Sequence, residues 1–250
     1  MTEPASVAAG LGTWQALTDS VCRCVACPQL VACRTRVVPG IAPAGADLLL
    51  VGEAPGAQED ATGTPFVGRA GQLLDSLLAE AGLPRPRVAV ANVLKCRPPG
   101  NRKPTRAEIA TCRPWLARQI ELLDPVLIVT LGGTAAEWAL GAGTKISAVR
   151  GTVRRYEQWP VVCTYHPSAA IRFGPGGGPM AALREDLAAA AALAARLRAD
   201  RLDAEHSGRE SPDAAHPADH PDPAHPGSAR LDAEQPGRTE GLRPRPEAGR

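Results

Sequence analysis

The sequence predicts an α/β protein with a three-layer plan, a mostly parallel central sheet flanked by helices. Three observations predict it. Four short apolar runs, DLLLVGEA (47–54), RVAVANVLKC (87–96), PVLIVTLG (125–132) and PVVCTYHP (160–167), alternate with segments of helical spacing. Such continuous runs, with no polar alternation, are what strands buried on both faces of a parallel sheet look like. Composition agrees: hydrophobic residues make up 44% of the chain but aromatics only 3%, so the core is built from Ala, Val and Leu.

Each element has its own signal. The first strand (47–54) is an apolar run that stops at a glycine, and GRAGQLLDSLLAEAGL (68–83) follows with helical periodicity and a glycine stop. The run 87–96 is the second strand, and PTRAEIATCRPWLARQIELL (104–123) is a long helix with Thr105 near its start. The third strand (125–132) leads into the helix GTAAEWALG, and the fourth (160–167) ends at His166. MAALREDLAAAAALAARLRA (180–199) closes the folded part as a helix. From about residue 200 the sequence turns Pro- and Asp-rich, with RLDAEHSGRE loosely repeated as RLDAEQPGRT. So few apolar residues cannot offset the entropy of ordering, which predicts residues 1–199 as one domain and 200–250 as a disordered tail.

Charge divides along the same boundary. Residues 200–250 carry 7 Arg against 11 acidic residues, leaving 21 Lys and Arg against 15 acids in residues 1–199. A moderately basic globular part suits a polyanionic partner. The N-terminal stretch lacks a basic segment followed by a long apolar run, and no apolar stretch approaches the roughly 20 residues that span a bilayer. The expectation is a cytoplasmic monomer with no membrane partner, whose seven cysteines are reduced thiols or metal ligands.

Two constellations point to chemistry. Ligands of open α/β sheets bind at the carboxyl ends of the strands. Those ends carry Gly52-Glu53, Asn92, Gly132-Gly133 and His166, the only histidine in the first 199 residues. The second constellation is made of cysteines. Cys24 and Cys27 have the two-residue gap that turns two thiolates toward one metal, and Cys96 and Cys112 lie downstream. Four thiolates suit zinc or an iron–sulfur cluster, and spacing alone leaves both open. Cys163, in mid-strand, reads as an ordinary buried thiol.

Taken together, GEAPGAQEDATGTPFVGRAGQLLD (52–75), NVLKCRPPGNRKPT (92–105) and HPSAAIR (166–172) resemble the family 4 uracil-DNA glycosylases, and the resemblance runs from about Cys24 to about residue 197. It implies a uracil-DNA glycosylase-like fold and a 4Fe-4S cluster on Cys24, Cys27, Cys96 and Cys112. The implied activity is hydrolysis of the uracil N-glycosidic bond in single- or double-stranded DNA, for base excision repair. By the same resemblance, Glu53, flanked by Gly52 and Ala54, shapes the water and sugar side of the pocket. Phe66 stacks on the flipped base, Asn92 reads the uracil edge, and His166 opens the second catalytic motif.

The chemistry of the residues agrees. Uracil presents O4 as acceptor and N3–H as donor, a pair that one fixed carboxamide satisfies and that cytosine reverses. A histidine N–H at O2 stabilises the charge the leaving base takes on. Ala54 stands where some glycosylase families, though not family 4, carry an aspartate for the attacking water. Water positioning is therefore expected from Glu53, Glu59, Asn101 or the substrate phosphates. DNA is expected to be gripped by backbone N–H groups around GEAPG, by the segment containing Ser168, and by Arg172, with Ile171 or Arg172 as a wedge. Two other readings compete: a relative that traps uracil-DNA covalently, and a non-catalytic iron–sulfur or zinc module. The first would need a basic loop ending in a histidine where this chain has only PPGNRKPT, and the second has no use for Glu53, Phe66, Asn92 and His166 together.

Overall fold

A computed structural model describes residues 3–207. In chain order the elements are α1 (Pro4–Ala9), α2 (Trp14–Cys22), α3 (Pro28–Val31), β1 (Leu48–Gly52), α4 (Ala57–Thr62), α5 (Arg69–Glu80) and β2 (Val88–Asn92). They continue with α6 (Arg106–Leu123), β3 (Leu127–Leu131), α7 (Gly133–Leu140), α8 (Ile146–Val149), β4 (Arg154–Tyr156), β5 (Trp159–Thr164), α9 (Pro167–Phe173) and α10 (Gly178–Ser207). The strands form one sheet in the order β2-β1-β3-β5-β4. The four expected strands are all present and mutually parallel, and β4 adds an antiparallel edge on β5.

The apolar runs are continuous because both sheet faces are covered. Leu48 and Leu50 of β1 face one way, into a cluster with Leu74 and Leu77 of α5 and Leu183 and Leu187 of α10. Leu49 and Val51 face the other way, packing with Leu116 and Ile120 of α6 and Trp138 of α7. Fully burying a side chain of this size contributes about 1.5–3 kcal/mol. A third cluster seats the N-terminal helices on the exit from β2, with Leu17, Val21 and Leu30 against Leu94, Cys96 and Trp115.

Local chemistry sets the helix ends. Thr105 Oγ1 accepts from Glu108 N (3.2 Å) while the Glu108 carboxylate accepts from Thr105 N (2.8 Å), a reciprocal cap at the start of α6. At the far end of the chain the helix overruns its expected limit. α10 continues past residue 199 to Ser207, held by Arg198 on Asp47 and by Arg201 on the Asp124 carbonyl (2.9 Å). The domain boundary expected after residue 199 thus falls inside a helix, and the rest of the expected tail, residues 208–250, lies outside the described residues.

From β1 the chain steps to β2 on one side and then to β3 on the other, so the connections diverge at the carboxyl end of β1. A crevice opens at such a point in a parallel sheet.

Candidate active site

A cavity of about 240 Å³ occupies that crevice. Of the residues expected to form a site, Glu53, Ala54, Glu59, Phe66, Asn92, Asn101, His166 and Ser168 line it together. Gly52 lies directly behind the lining, and Arg172 is exposed on α9, outside the cavity.

Asn92 ends β2 in register with Gly52 of β1 and is only 3% exposed. Its Oδ1 is a buried acceptor without a hydrogen-bond partner. Its backbone is anchored from behind by Lys95, a fully buried lysine whose Nζ donates to the Asn92 carbonyl (2.8 Å) and to Gln119 Oε1 (2.5 Å). Gln119 in turn donates to the Pro39 carbonyl (2.7 Å). Burial lowers the Lys95 pKa to about 8.

Gly52 is glycine because two side chains occupy the space of its missing Cβ. A methyl there would sit 2.3 Å from Asn92 Oδ1 and 2.6 Å from Phe66 Cζ. Phe66 itself has φ +56°, a left-handed conformation that costs a residue with a Cβ roughly 1–2 kcal/mol. Strain of this kind gathers where a site over-determines its residues. The Phe66 ring is 6% exposed and lies 5.8 Å from the His166 ring, tilted by 32°.

His166 is the N-cap of α9. Its Nδ1 accepts from Ser168 N (3.1 Å) and lies 2.8 Å from Ser168 Oγ. With Nδ1 accepting, the proton of the neutral ring sits on Nε2. Burial pushes the His166 pKa down to about 4, and the Glu59 charge opposes that only in part. Gly132, at φ +91°, lets the end of β3 pass close to His166, because a Cβ there would lie 3.0 Å from His166 Cβ.

The carboxylates divide their work. Thr134 at the start of α7 donates to Glu53 Oε2 (2.5 Å). Glu59 is committed to the loops: one oxygen accepts from Gly56 N (3.1 Å), the other from Gly68 N (2.9 Å). That makes Glu59 a brace for the pocket wall, although each carboxylate oxygen keeps a second acceptor site. Asn101, at φ +57°, accepts from Arg97 Nε (2.7 Å).

Sequence reasoning missed Arg102 and Thr134. Arg102 lines the cavity and forms a two-pronged pair with Glu108 (2.6 and 2.9 Å). That pairing, with help from Thr105, holds the Glu108 carboxyl down at about 2. The Thr105–Glu108 spacing marks a capping box in the sequence, but nothing local says that the same glutamate receives Arg102.

Cys24, Cys27, Cys96 and Cys112 line a separate, small cavity that shares no residue with the first. Arg34 spans it, donating to Cys96 Sγ (2.9 Å) and to the Cys24 carbonyl (2.7 Å). Burial and the neighbouring thiols push Cys27 up to about 11, and burial pushes Cys112 up to about 12. Thiols buried this way become thiolates when a metal binds them. Among the described residues no three His, Cys, Asp or Glu side chains converge tightly enough to share one metal ion.

Comparison with known proteins joins these observations. The profile of the Uracil DNA glycosylase superfamily matches residues 39–188. The type-4 uracil-DNA glycosylase of Archaeoglobus fulgidus is 42% identical over 167 residues, covering 63% of this chain and 84% of that protein. The type-4 enzyme of Thermotoga maritima is 45% identical over 158 residues, 62% of this chain and 82% of that protein. The chain belongs to the type-4 uracil-DNA glycosylases. A type-5 uracil-DNA glycosylase of Mycobacterium leprae matches at a lower level, 32% identical over 205 residues, with 66% of this chain and 89% of that protein covered. The superfamily match takes in all the cavity-lining residues and two of the four clustered cysteines, Cys96 and Cys112, while Cys24 and Cys27 precede it.

Proposed function

We infer that the chain is a DNA-repair enzyme that excises uracil from DNA, hydrolysing its N-glycosidic bond and leaving an abasic site. The observation that carries this reading is the buried, unpaired Oδ1 of Asn92, a residue that lines the cavity together with Phe66 and His166. A buried acceptor left without a donor costs about 1–3 kcal/mol. Uracil N3–H supplies that donor, while the amide NH2 of the same side chain meets O4. Cytosine would bring an acceptor against Oδ1 and an amino group against the NH2.

The steps follow from the surrounding groups. The base must leave the helical stack before its glycosidic bond can be reached, and Phe66 gives it a new face on which to stack. As the bond breaks, negative charge grows on uracil O2. The Nε2–H of neutral His166 donates there, on a histidine held by Ser168 and by the end of a strand. Preorganised donors of this kind are worth about 100- to 1000-fold in rate. Glu53, with Oε2 committed to Thr134, has Oε1 left to orient the water that attacks the sugar. Asn101 lines the same cavity. An oxocarbenium-like transition state needs little activation of that water. Ser168 and Arg172, at the two ends of α9, serve the DNA backbone. The enzyme acts as a cytoplasmic monomer on single- or double-stranded substrate.

The four cysteines fit a 4Fe-4S cluster. They line one small cavity, with Arg34 and Lys95 as balancing cations. When bound, the cluster ties the N-terminal segment to the exit of β2 and to α6, and the groups proposed for catalysis lie in the other cavity.

The test is Asn92→Asp, assayed on matched oligonucleotides carrying uracil or cytosine. An ionised aspartate still accepts from N3–H but opposes O4 with a second acceptor, so most uracil excision should be lost. The carboxylate accepts from the cytosine amino group, and burial favours the protonated acid that cytosine N3 requires. Slow cytosine excision, strongest in single strands, is therefore expected. Full retention of uracil excision would mean that Asn92 does not read the base.

A further inference from the structure

We propose that Arg85 is a positioning residue for the base-stacking ring: it clamps the Pro65–Phe66 turn from outside the cavity, and so sets uracil affinity without touching the base. This rests on the reading of the cavity as a uracil pocket. Arg85 opens the single turn Arg85–Arg87 that leads into β2. Its Nη2 donates to the Pro65 carbonyl (2.9 Å), its Nη1 donates to Asp75 Oδ1 (2.9 Å), and its guanidinium carbon lies 6.0 Å from the centroid of the Phe66 ring. Arg85 is absent from the cavity lining.

Phe66 needs such a clamp. At φ +56° its backbone lies in a region that bulky L-residues avoid, and an unrestrained peptide would leave it. Three features fix the turn from different sides. Gly71 of α5 packs so close that a Cβ would fall 1.7 Å from the Phe66 carbonyl oxygen. Gly52 leaves room for the ring on the sheet side. Arg85 holds the carbonyl immediately before Phe66. The first two only make space, whereas Arg85 supplies an attraction that favours this conformation. A planar fork can bond Pro65 and Asp75 together while keeping its flat cation near the ring, which a lysine cannot do. The clamp bears on stacking alone, because Asn92 is anchored independently through Lys95.

The proposal is tested on the full-length, iron-loaded protein with Arg85→Met, Arg85→Lys and Asp75→Asn. Inhibition of excision by free uracil is measured beside binding of an oligonucleotide containing an abasic site, with iron content as a check on folding. Arg85→Met should weaken uracil inhibition by about tenfold and lower kcat/KM to a similar degree, with iron content and abasic-site binding unchanged. Arg85→Lys should recover part of the loss through its single bond to Pro65. Asp75→Asn, which leaves the bond to Pro65 in place, should stay within about twofold of the parent. Parent-like uracil inhibition in Arg85→Met would overturn the proposal. So would loss of iron or of abasic-site binding alongside the lost inhibition, since that would make Arg85 a general structural residue. If the parent protein itself released no uracil, the functional reading would fall and take the clamp with it.

Discussion

The surroundings of His166 favour the neutral ring, the form in which we propose that it donates to the leaving base. Nδ1 faces the Ser168 N–H, burial holds the pKa at about 4, and the ring packs beside Phe66. The rate should therefore not follow an ordinary histidine titration. Excision by the parent enzyme should show no histidine step near pH 6.5, and any loss due to this residue should begin only near pH 4. A rate that rises as pH falls through 6.5 would mean that the protonated ring is the active form. Stability carries the same sign. The folded-state pKa lies below the ordinary value, so between about 6.5 and 4 the unfolded chain binds the extra proton and folding weakens as pH drops. His166→Ala should fold and bind DNA but excise uracil about 100-fold more slowly or worse; an undiminished rate would return His166 to a helix cap. Residue types at strand ends make much of this site legible in sequence, because Glu53, Asn92 and His166 interrupt apolar runs. What a residue does for its neighbours is not legible. Glu59 reads as a candidate for orienting water, and the sequence gives no sign that its two oxygens also brace the backbone of Gly56 and Gly68. Thr134 and Arg85 carry no mark at all, because their partners lie 81 and 20 residues away.

At the scale of elements, the cysteine segment and the pocket are joined by α4. Asp60, 2% exposed, accepts from the backbone of Thr35 (3.0 Å) and Arg36 (3.4 Å), just after Arg34 spans the cysteine cavity. The neighbouring residue on the same helix is Glu59, which braces the pocket wall. Losing the proposed cluster should therefore disturb the pocket through α4, although the two cavities share no residue. Cys96→Ala is expected to lose iron, solubility and excision together, while Cys163→Ala, altered in mid-β5, keeps its iron. Measured iron per chain with residual excision checks this, and an active, iron-free Cys96→Ala would contradict it. The central strands were readable because both of their faces are buried. β4 was not, since Arg154 and Arg155 are exposed and only Tyr156 is buried on this edge strand. α4 and α9 were hidden for another reason. The first lies in a glycine-rich stretch, and the second starts at His-Pro-Ser, which reads as a strand end before it reads as a helix cap.

For the molecule as a whole, a basic folded part and a small cavity with both apolar and polar lining, at the divergence point of a parallel sheet, suit a single extruded base drawn from a polyanion. No described helix is long and apolar enough to cross a membrane. α10 packs on β3 and β5 and continues to Ser207, farther than composition alone suggested, and Arg198 and Arg201 find acidic partners in the loops that precede β1 and β3. The most direct measurement is of the products formed when the purified protein meets an oligonucleotide carrying one uracil. Free uracil should be released and the strand should break at that position on treatment with alkali, with no release from matched strands carrying cytosine or thymine. An intact glycosidic bond, or a protein covalently attached to the strand in place of free uracil and a hydrolysed site, would contradict the assignment.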